Sequence, residues 1–265
     1  MDKVSRLKEI IRGMGSMVVA FSGGVDSSFL LDVAAGVLPQ ERLLAITADS
    51  ETYPQEELFF AKRLAKNIGV RHRVIRTKEL RNARFRNNPV NRCYFCKKEL
   101  FTQLLKIARR EKLNYVVDAS NVSDKRDVRP GSLAKQELGI RSPLEEAHLT
   151  KEDIRRASRQ RGLATAEKPS MACLASRIPY GIAITPDLLS RIGAAERYLR
   201  SLGFAQVRLR HYNGLCRIEV ENKDIPVLIK KRRAIVAALK RFGYQYVTID
   251  LEGYRTGSMN EGMER

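Results

Sequence analysis

Residues 17–28 read Met-Val-Val-Ala-Phe-Ser-Gly-Gly-Val-Asp-Ser-Ser, and an apolar helical pattern (Phe29, Leu30, Leu31, Val33) follows at once. An apolar strand that runs through a glycine pair into a helix leaves few architectures open. Gly23 and Gly24 permit positive φ and close approach of a ligand to the backbone. The helix start offers unpaired N–H groups and a positive dipole end, which suit a phosphate. Ser22, Ser27 and Ser28 add hydroxyls. No Gly-Lys-Ser/Thr is present, and neither is Gly-x-Gly-x-x-Gly, so the loop is neither a Walker A loop nor a dinucleotide fingerprint. A plain strand-to-helix turn with a Ser/Asp cap is the structural alternative.

The pattern around this loop repeats. Val18–Phe21, Leu43–Thr47, Arg73–Arg76 and Tyr115–Ala119 are β-rich, and helical patterns at Ser27–Val37, Gln55–Ile68 and Lys97–Glu111 separate them. Such alternation predicts a parallel sheet with helices on both faces. Ligands of these sheets bind beyond the carboxyl ends of the strands. The Ser22–Ser28 loop, Asp49-Ser50 and Asp118–Asp124 all fall at such ends. Thr150-x-x-Asp153 opens a further helix with a capping-box pattern, and Gly162 closes it. Lys168–Gly181 reads as a long loop. From Thr185 the order becomes helix (186–202), strand (206–211), strand (215–221), helix (225–242) and strand (246–251). Asn213-Gly214 is a strong hairpin signal between the first two strands. The chain is therefore read as α/β: a parallel-sheet domain over 1–180 and a smaller α+β domain over 181–265.

With 265 residues, 43% of them hydrophobic, the chain can bury a sizeable core. No apolar run approaches the roughly 20 residues that span a bilayer, and the charged start Met1–Arg6 is not a signal segment. A cytoplasmic location is expected, where four cysteines suit metal binding or catalysis better than bridging. The net charge of +19 suits an anionic partner: nucleic acid, nucleotide or phosphorylated small molecule. The basic residues are scattered, so a solvated surface accounts for them equally well.

Cys93 and Cys96, three residues apart, can point the same way from a helical turn and share one soft metal or cluster. A zinc site would need a second such pair, and none is found. Cys173 lies in the long loop, where Arg177 can favour its thiolate. Cys216 alternates with Arg217, Glu219 and Glu221 along a strand and reads as core. Arg208 and Arg210 share a strand face and fit a phosphate, or simply face solvent. Lys97 meets a nucleotide phosphate or stands on an exposed helix face.

Taken together, the loop resembles the PP-loop of the ATP pyrophosphatases. The segments Arg92-Cys93-Tyr94-x-Cys96-Lys97, Asp118-x-x-Asn121, Arg129-Pro130-Gly131, Ser142-Pro143-Leu144, Lys168-Pro169, Cys173–Gly181 and Leu251–Ser258 resemble the LarE family over nearly the whole chain. LarE proteins are ATP-dependent sulfur transferases that make the nickel-pincer cofactor of lactate racemase. The resemblance implies a Rossmann-like PP-loop domain that binds ATP, with magnesium, through Ser22, Gly23, Gly24, Asp26, Ser27, Ser28 and Lys97. The carboxylates of pyridinium-3,5-biscarboxylic acid mononucleotide are adenylated and converted to thiocarboxylates, with Cys173, Asp26 and Ser27 as catalytic residues. Ser176, Arg177, Glu196, Arg208 and Arg210 are implied to bind the substrate. Cys93, Cys96 and Cys173 match the three-cysteine pattern of members with a [4Fe-4S] cluster; other members sacrifice the sulfur of the cysteine at the position of Cys173. A homo-oligomer is implied, with a hexamer as one form, and neither membrane nor nucleic acid as partner. The competing expectation is a PP-loop enzyme that thiolates tRNA, which the positive charge would suit.

Overall fold

The first strand of the sheet, β1 (Met17–Ala20), alternates its side chains between two cores. Met17 and Val19 join one, with Leu43, Ala45 and Val117, while Val18 joins another with Leu44, Ile46 and Val116. A strand buried on both faces is what a parallel sheet covered by helices requires. The computed structural model describes residues 2–126, 130–169, 171–255 and 257–260. Arg129, part of a motif named above, and Ser170, within the long loop, lie outside them.

The described residues form two units, one of residues 1–85 and 90–171, the other of residues 86–89 and 172–265. In the first, β2 (Leu43–Asp49), β3 (Arg71–Arg76) and β4 (Tyr115–Val117) join β1 in the order β3-β2-β1-β4, all parallel. The chain steps outward from β1 to β3 and then returns to the other side of β1. The sheet thus has its topological switch between β1 and β4, where ligands of open α/β sheets bind. The loop after β1 and Asp118 after β4 flank that point. The helices Lys3–Met14, Val25–Ala35 and Lys151–Gln160 feed the first core, and Arg92–Arg110 feeds the second.

In the second unit β5 (Val207–Tyr212) pairs antiparallel with β6 (Leu215–Val220), and β6 pairs parallel with β7 (Tyr246–Ile249). Asn213 sits at φ 48 in the expected hairpin turn. Cys216, Ile218 and Val220 are fully buried, as the alternation predicts. The opposite face carries Arg208, Arg210 and Tyr212 on β5 against Glu219, Arg217 and Leu215 on β6.

Two elements differ from expectation. The helix read over 225–242 is two, Ile225–Lys230 and Arg232–Arg241, with Lys231 turned to ψ 7 between them. Lys230–Arg233 is a run of four cations with no acid one turn away to steady the helix through it. The helix read as beginning at Lys97 begins at Arg92, so Cys93 and Cys96 lie within its first turns and not ahead of it.

Candidate active site

The loop after β1 is held by its carbonyls. Thr47 Oγ1 donates to the Phe21 oxygen at 2.8 Å, and Tyr53 Oη donates to that of Ser22. Lys168 Nζ donates to Gly23 at 3.2 Å, and the Ser27 and Ser28 hydroxyls donate to Gly24 at 3.2 and 2.7 Å. Four successive carbonyls are therefore fixed from the protein side. In a trans peptide the N–H of the next residue points the opposite way. Those of Ser22 and Gly24 meet the Ser27 and Ser22 hydroxyls at 3.3 and 3.4 Å, which leaves those of Gly23 and Val25 turned away from the supports. Gly23 has φ +68, and a Cβ there would stand 3.1 Å from Ala61 Cβ. Only glycine suits that position. The loop is a cradle that fits a polyphosphate, and it leads into the positive end of the Val25–Ala35 helix.

Asp26 is the acid in the first turn of that helix. Lys151 Nζ lies 2.5 Å from its Oδ2, and Asn121 Nδ2 donates to its Oδ1 at 3.3 Å. Its side chain is 23% exposed, so a hard carboxylate oxygen stands beside the cradle, which suits magnesium bridging to phosphates. Ser22 shares its support with Ser27: the two hydroxyls are 3.1 Å apart, and the Ser22 N–H donates to Ser27 Oγ at 3.3 Å.

Three of these supports, Thr47, Tyr53 and Lys168, have no site role in the sequence analysis. Tyr53 follows β2, and burial pushes its phenol well above the ordinary range, so it stays a donor. Lys168 also donates to Glu57 at 2.7 Å and lies over the Phe60 ring at 3.6 Å. Lys168 stood in a motif named above without a role, whereas neither Tyr53 nor Lys151 carries a local signal.

Lys97 lies 3.5 Å from Asp118 Oδ2, and its stem packs where a Cβ on Gly131 would be, at 3.2 Å. Asp118 also accepts from Ser142 at 2.6 Å and from Lys135 at 3.5 Å. Burial alone would raise its carboxyl; Lys97, Lys135 and the Ser142 and Ser120 hydroxyls outweigh that and hold it low. Cys93 is exposed and Cys96 half-buried. Among the described residues no group of three or more His, Cys, Asp or Glu is gathered as a metal site.

In the second unit Cys173 precedes a short turn of helix, Leu174–Arg177. Arg177 is completely buried. It donates to Glu196 at 2.8 and 3.0 Å and to the carbonyls of Ala172 and Cys173 at 2.7 and 2.9 Å. The guanidinium expected to act on the Cys173 thiol therefore grips that residue's backbone. Ser176 Oγ donates to the same Cys173 carbonyl at 2.8 Å. Glu196 further accepts from Arg200 at 2.7 Å and from the Leu209 N–H at 3.1 Å. Burial would raise its carboxyl, but Arg177, Arg200 and Arg208 hold it below the ordinary range.

Arg208 and Arg210 share a face, as expected, but that face is covered: they are 3% and 5% exposed. Arg210 clasps both oxygens of Glu219 at 2.9 Å and donates to the Ser176 carbonyl at 2.8 Å and Ser258 Oγ at 2.7 Å. Arg208 lies over the Tyr254 ring, 5.2 Å from its centroid. Burial and repulsion from Arg177 lower its guanidinium to about 10.

The parallel sheet, the switch point and the phosphate cradle define an ATP pyrophosphatase of the PP-loop class. The asparagine synthase family model matches residues 9–86, which contain the loop. Three relatives extend this. An uncharacterised protein of Synechocystis is 42% identical over 98% of this chain and 97% of its own length. The pyridinium-3,5-bisthiocarboxylic acid mononucleotide synthase of Lactiplantibacillus plantarum is 35% identical over 99% of this chain and 95% of its own. An NH3-dependent NAD+ synthetase of Chlorobaculum tepidum is 32% identical over 29% of this chain and 28% of its own. The chain belongs to the LarE family of ATP-dependent sulfur transferases. No helix among the described residues is long and apolar enough to cross a membrane.

Proposed function

We propose that this enzyme activates the carboxylates of pyridinium-3,5-biscarboxylic acid mononucleotide with ATP and replaces one oxygen of each by sulfur, in nickel-pincer cofactor synthesis. The observation that carries the first half is the loop whose four carbonyls are pinned from the protein side, which turns the Gly23 and Val25 N–H groups the other way, toward a polyphosphate. Ser22, Gly23, Gly24, Ser27 and Ser28 line that cradle, Asp26 holds magnesium, and Lys97 serves the phosphates. A substrate carboxylate oxygen bonds to the α-phosphorus, and the bond to the β-phosphate oxygen breaks, releasing pyrophosphate. The carboxyl carbon now carries AMP as leaving group, which a sulfur nucleophile displaces. Loop N–H groups and the metal stabilise charge on the phosphates.

The sulfur half belongs to Cys93, Cys96 and Cys173. Three thiolates suit a [4Fe-4S] cluster, which when bound supplies one iron open to a transferable sulfide. Arg177, Ser176 and Glu196 serve the substrate by fixing the backbone that presents Cys173. Arg208 and Arg210 complete that frame with Glu219. The first unit, residues 1–85 and 90–171, supplies activation; the second, residues 86–89 and 172–265, which carries Cys173, Ser176 and Arg177, supplies the substrate side and the contacts of a homo-oligomer.

Anaerobic reconstitution with iron and sulfide, then ATP and the dicarboxylate mononucleotide, tests this by mass spectrometry. Thiocarboxylate with intact Cys173 is the expected result. Dehydroalanine at Cys173 would replace the cluster by a sacrificial cysteine, and thiolated tRNA without thiocarboxylate would overturn the substrate.

A further inference from the structure

The acid that suits magnesium is already occupied. Lys151 opens the helix Lys151–Gln160, and its backbone is fixed twice. Thr150 and Asp153 form a capping box around that helix start, and the Lys151 N–H donates to Ser123 Oγ at 3.1 Å. The side chain then reaches from one helix start to the other and places its ammonium 2.5 Å from Asp26 Oδ2, with Asn121 on the second oxygen. An ammonium already on that oxygen repels an incoming divalent cation and lowers its affinity for Asp26. The lysine is 28% exposed, and pairs this open are weak, about 0–1 kcal/mol. A flexible four-carbon stem lets its ammonium move while its backbone stays.

We propose that Lys151 is a built-in counter-cation that blocks divalent metal from Asp26 until nucleotide arrives. When ATP enters the cradle with its metal, Asp26 exchanges the ammonium for the metal, and Lys151 turns to the phosphates. Metal loading thereby depends on nucleotide, and the positive charge withdrawn from Asp26 is used again on the leaving pyrophosphate. This rests on the ATP reading above.

Titration of Mn2+ by electron paramagnetic resonance, with and without a non-hydrolysable ATP analogue, tests it on the full chain. Wild type should bind Mn2+ weakly alone and tightly with the analogue. K151M should bind Mn2+ alone about tenfold more tightly, a free-energy change of about 1.4 kcal/mol, and bind the analogue more weakly than wild type. K151R, which keeps the charge, should restore weak binding of Mn2+ alone, and so should K151M combined with Asp26→Asn. Equal Mn2+ affinity in wild type and K151M without nucleotide, with analogue-dependent binding intact, overturns the role of Lys151 and leaves the ATP reading standing. Absence of analogue binding in wild type overturns both. Circular dichroism melting of K151M and K151R identifies a variant that has merely unfolded, and K151R then decides alone: loss of the nucleotide requirement in K151R overturns the proposal.

Discussion

The two units each concentrate charge, and they do so in opposite ways. Around the loop, Asp26 and Lys151 are each about a quarter exposed, and the pair is held by single contacts. In the second unit Arg177 and Glu196 are wholly buried, and Glu196 is gripped by Arg177, Arg200 and a backbone N–H at once. A partly wet lysine pair can open for a ligand at little cost. A dry arginine–glutamate pair cannot, because separating it leaves a bare charge in a low dielectric. The first arrangement suits a site that exchanges partners; the second suits a fixed support of the Cys173 segment. Residue types alone would have ranked them the other way, since arginines are the usual phosphate ligands.

The contrast breaks most directly at Glu196. Glu196→Gln leaves Arg177 and Arg200 without their counter-charge, and a broken buried pair costs about 3–5 kcal/mol. Denaturant titration should show that loss. A change below 1 kcal/mol would mean the network is open after all. Asp26→Asn is the mirror case. It should lower ATP–pyrophosphate exchange by about 10²–10³, in the range seen when one charge-stabilising group is removed, with the unfolding midpoint nearly unchanged. A large loss of stability there would make Asp26 part of the frame.

Acid titration sharpens the same comparison. The Glu196 and Asp118 carboxyls are held below their ordinary values in the fold. A lowered folded value gives stability that is present above the unfolded value, 4.5 for the glutamate, and lost as pH falls through the folded one. Stability should therefore fall on acidification below about 4.5. Glu196→Gln should flatten that limb in part, since Asp118 still contributes. An unchanged slope would remove Glu196 as a source.

How much of this was legible before folding follows from the range of each signal. The glycine pair, the strand–helix alternation, the capping box at Thr150 and the Asn213-Gly214 hairpin are local. Each is set by neighbours within a few positions, and each stands in the structure. Cys216 was readable as core because a strand alternates with period two. Lys151 on Asp26 and Lys168 on Gly23 join residues 125 and 145 positions apart, and no spacing announces such pairs. The same holds for Arg177 with Glu196. Both residues were named as substrate ligands from the resemblance; the structure adds that the Arg177 guanidinium meets the Ala172 and Cys173 carbonyls and the Glu196 carboxylate, partners that no spacing announces.

Tyr53 gives the smallest and most local test of the cradle. Its hydroxyl donates to the Ser22 carbonyl, and burial, joined by the charge of Glu57, pushes its phenol well above the ordinary value of 10. A raised folded value gives stability that is full below the unfolded value and declines as pH rises beyond it. Tyr53→Phe removes one neutral hydrogen bond, about 1 kcal/mol, and should raise KM for ATP several-fold more than it lowers kcat, because the loop loses one of its pins and not a reacting group. It should also flatten the alkaline limb of stability above about pH 10, with Tyr244 and Cys216, which burial shifts in the same direction, still contributing. A fall in kcat at constant KM would instead place Tyr53 among the groups that act on the phosphates during transfer, and the pinned-carbonyl account of the loop would need a different support at Ser22.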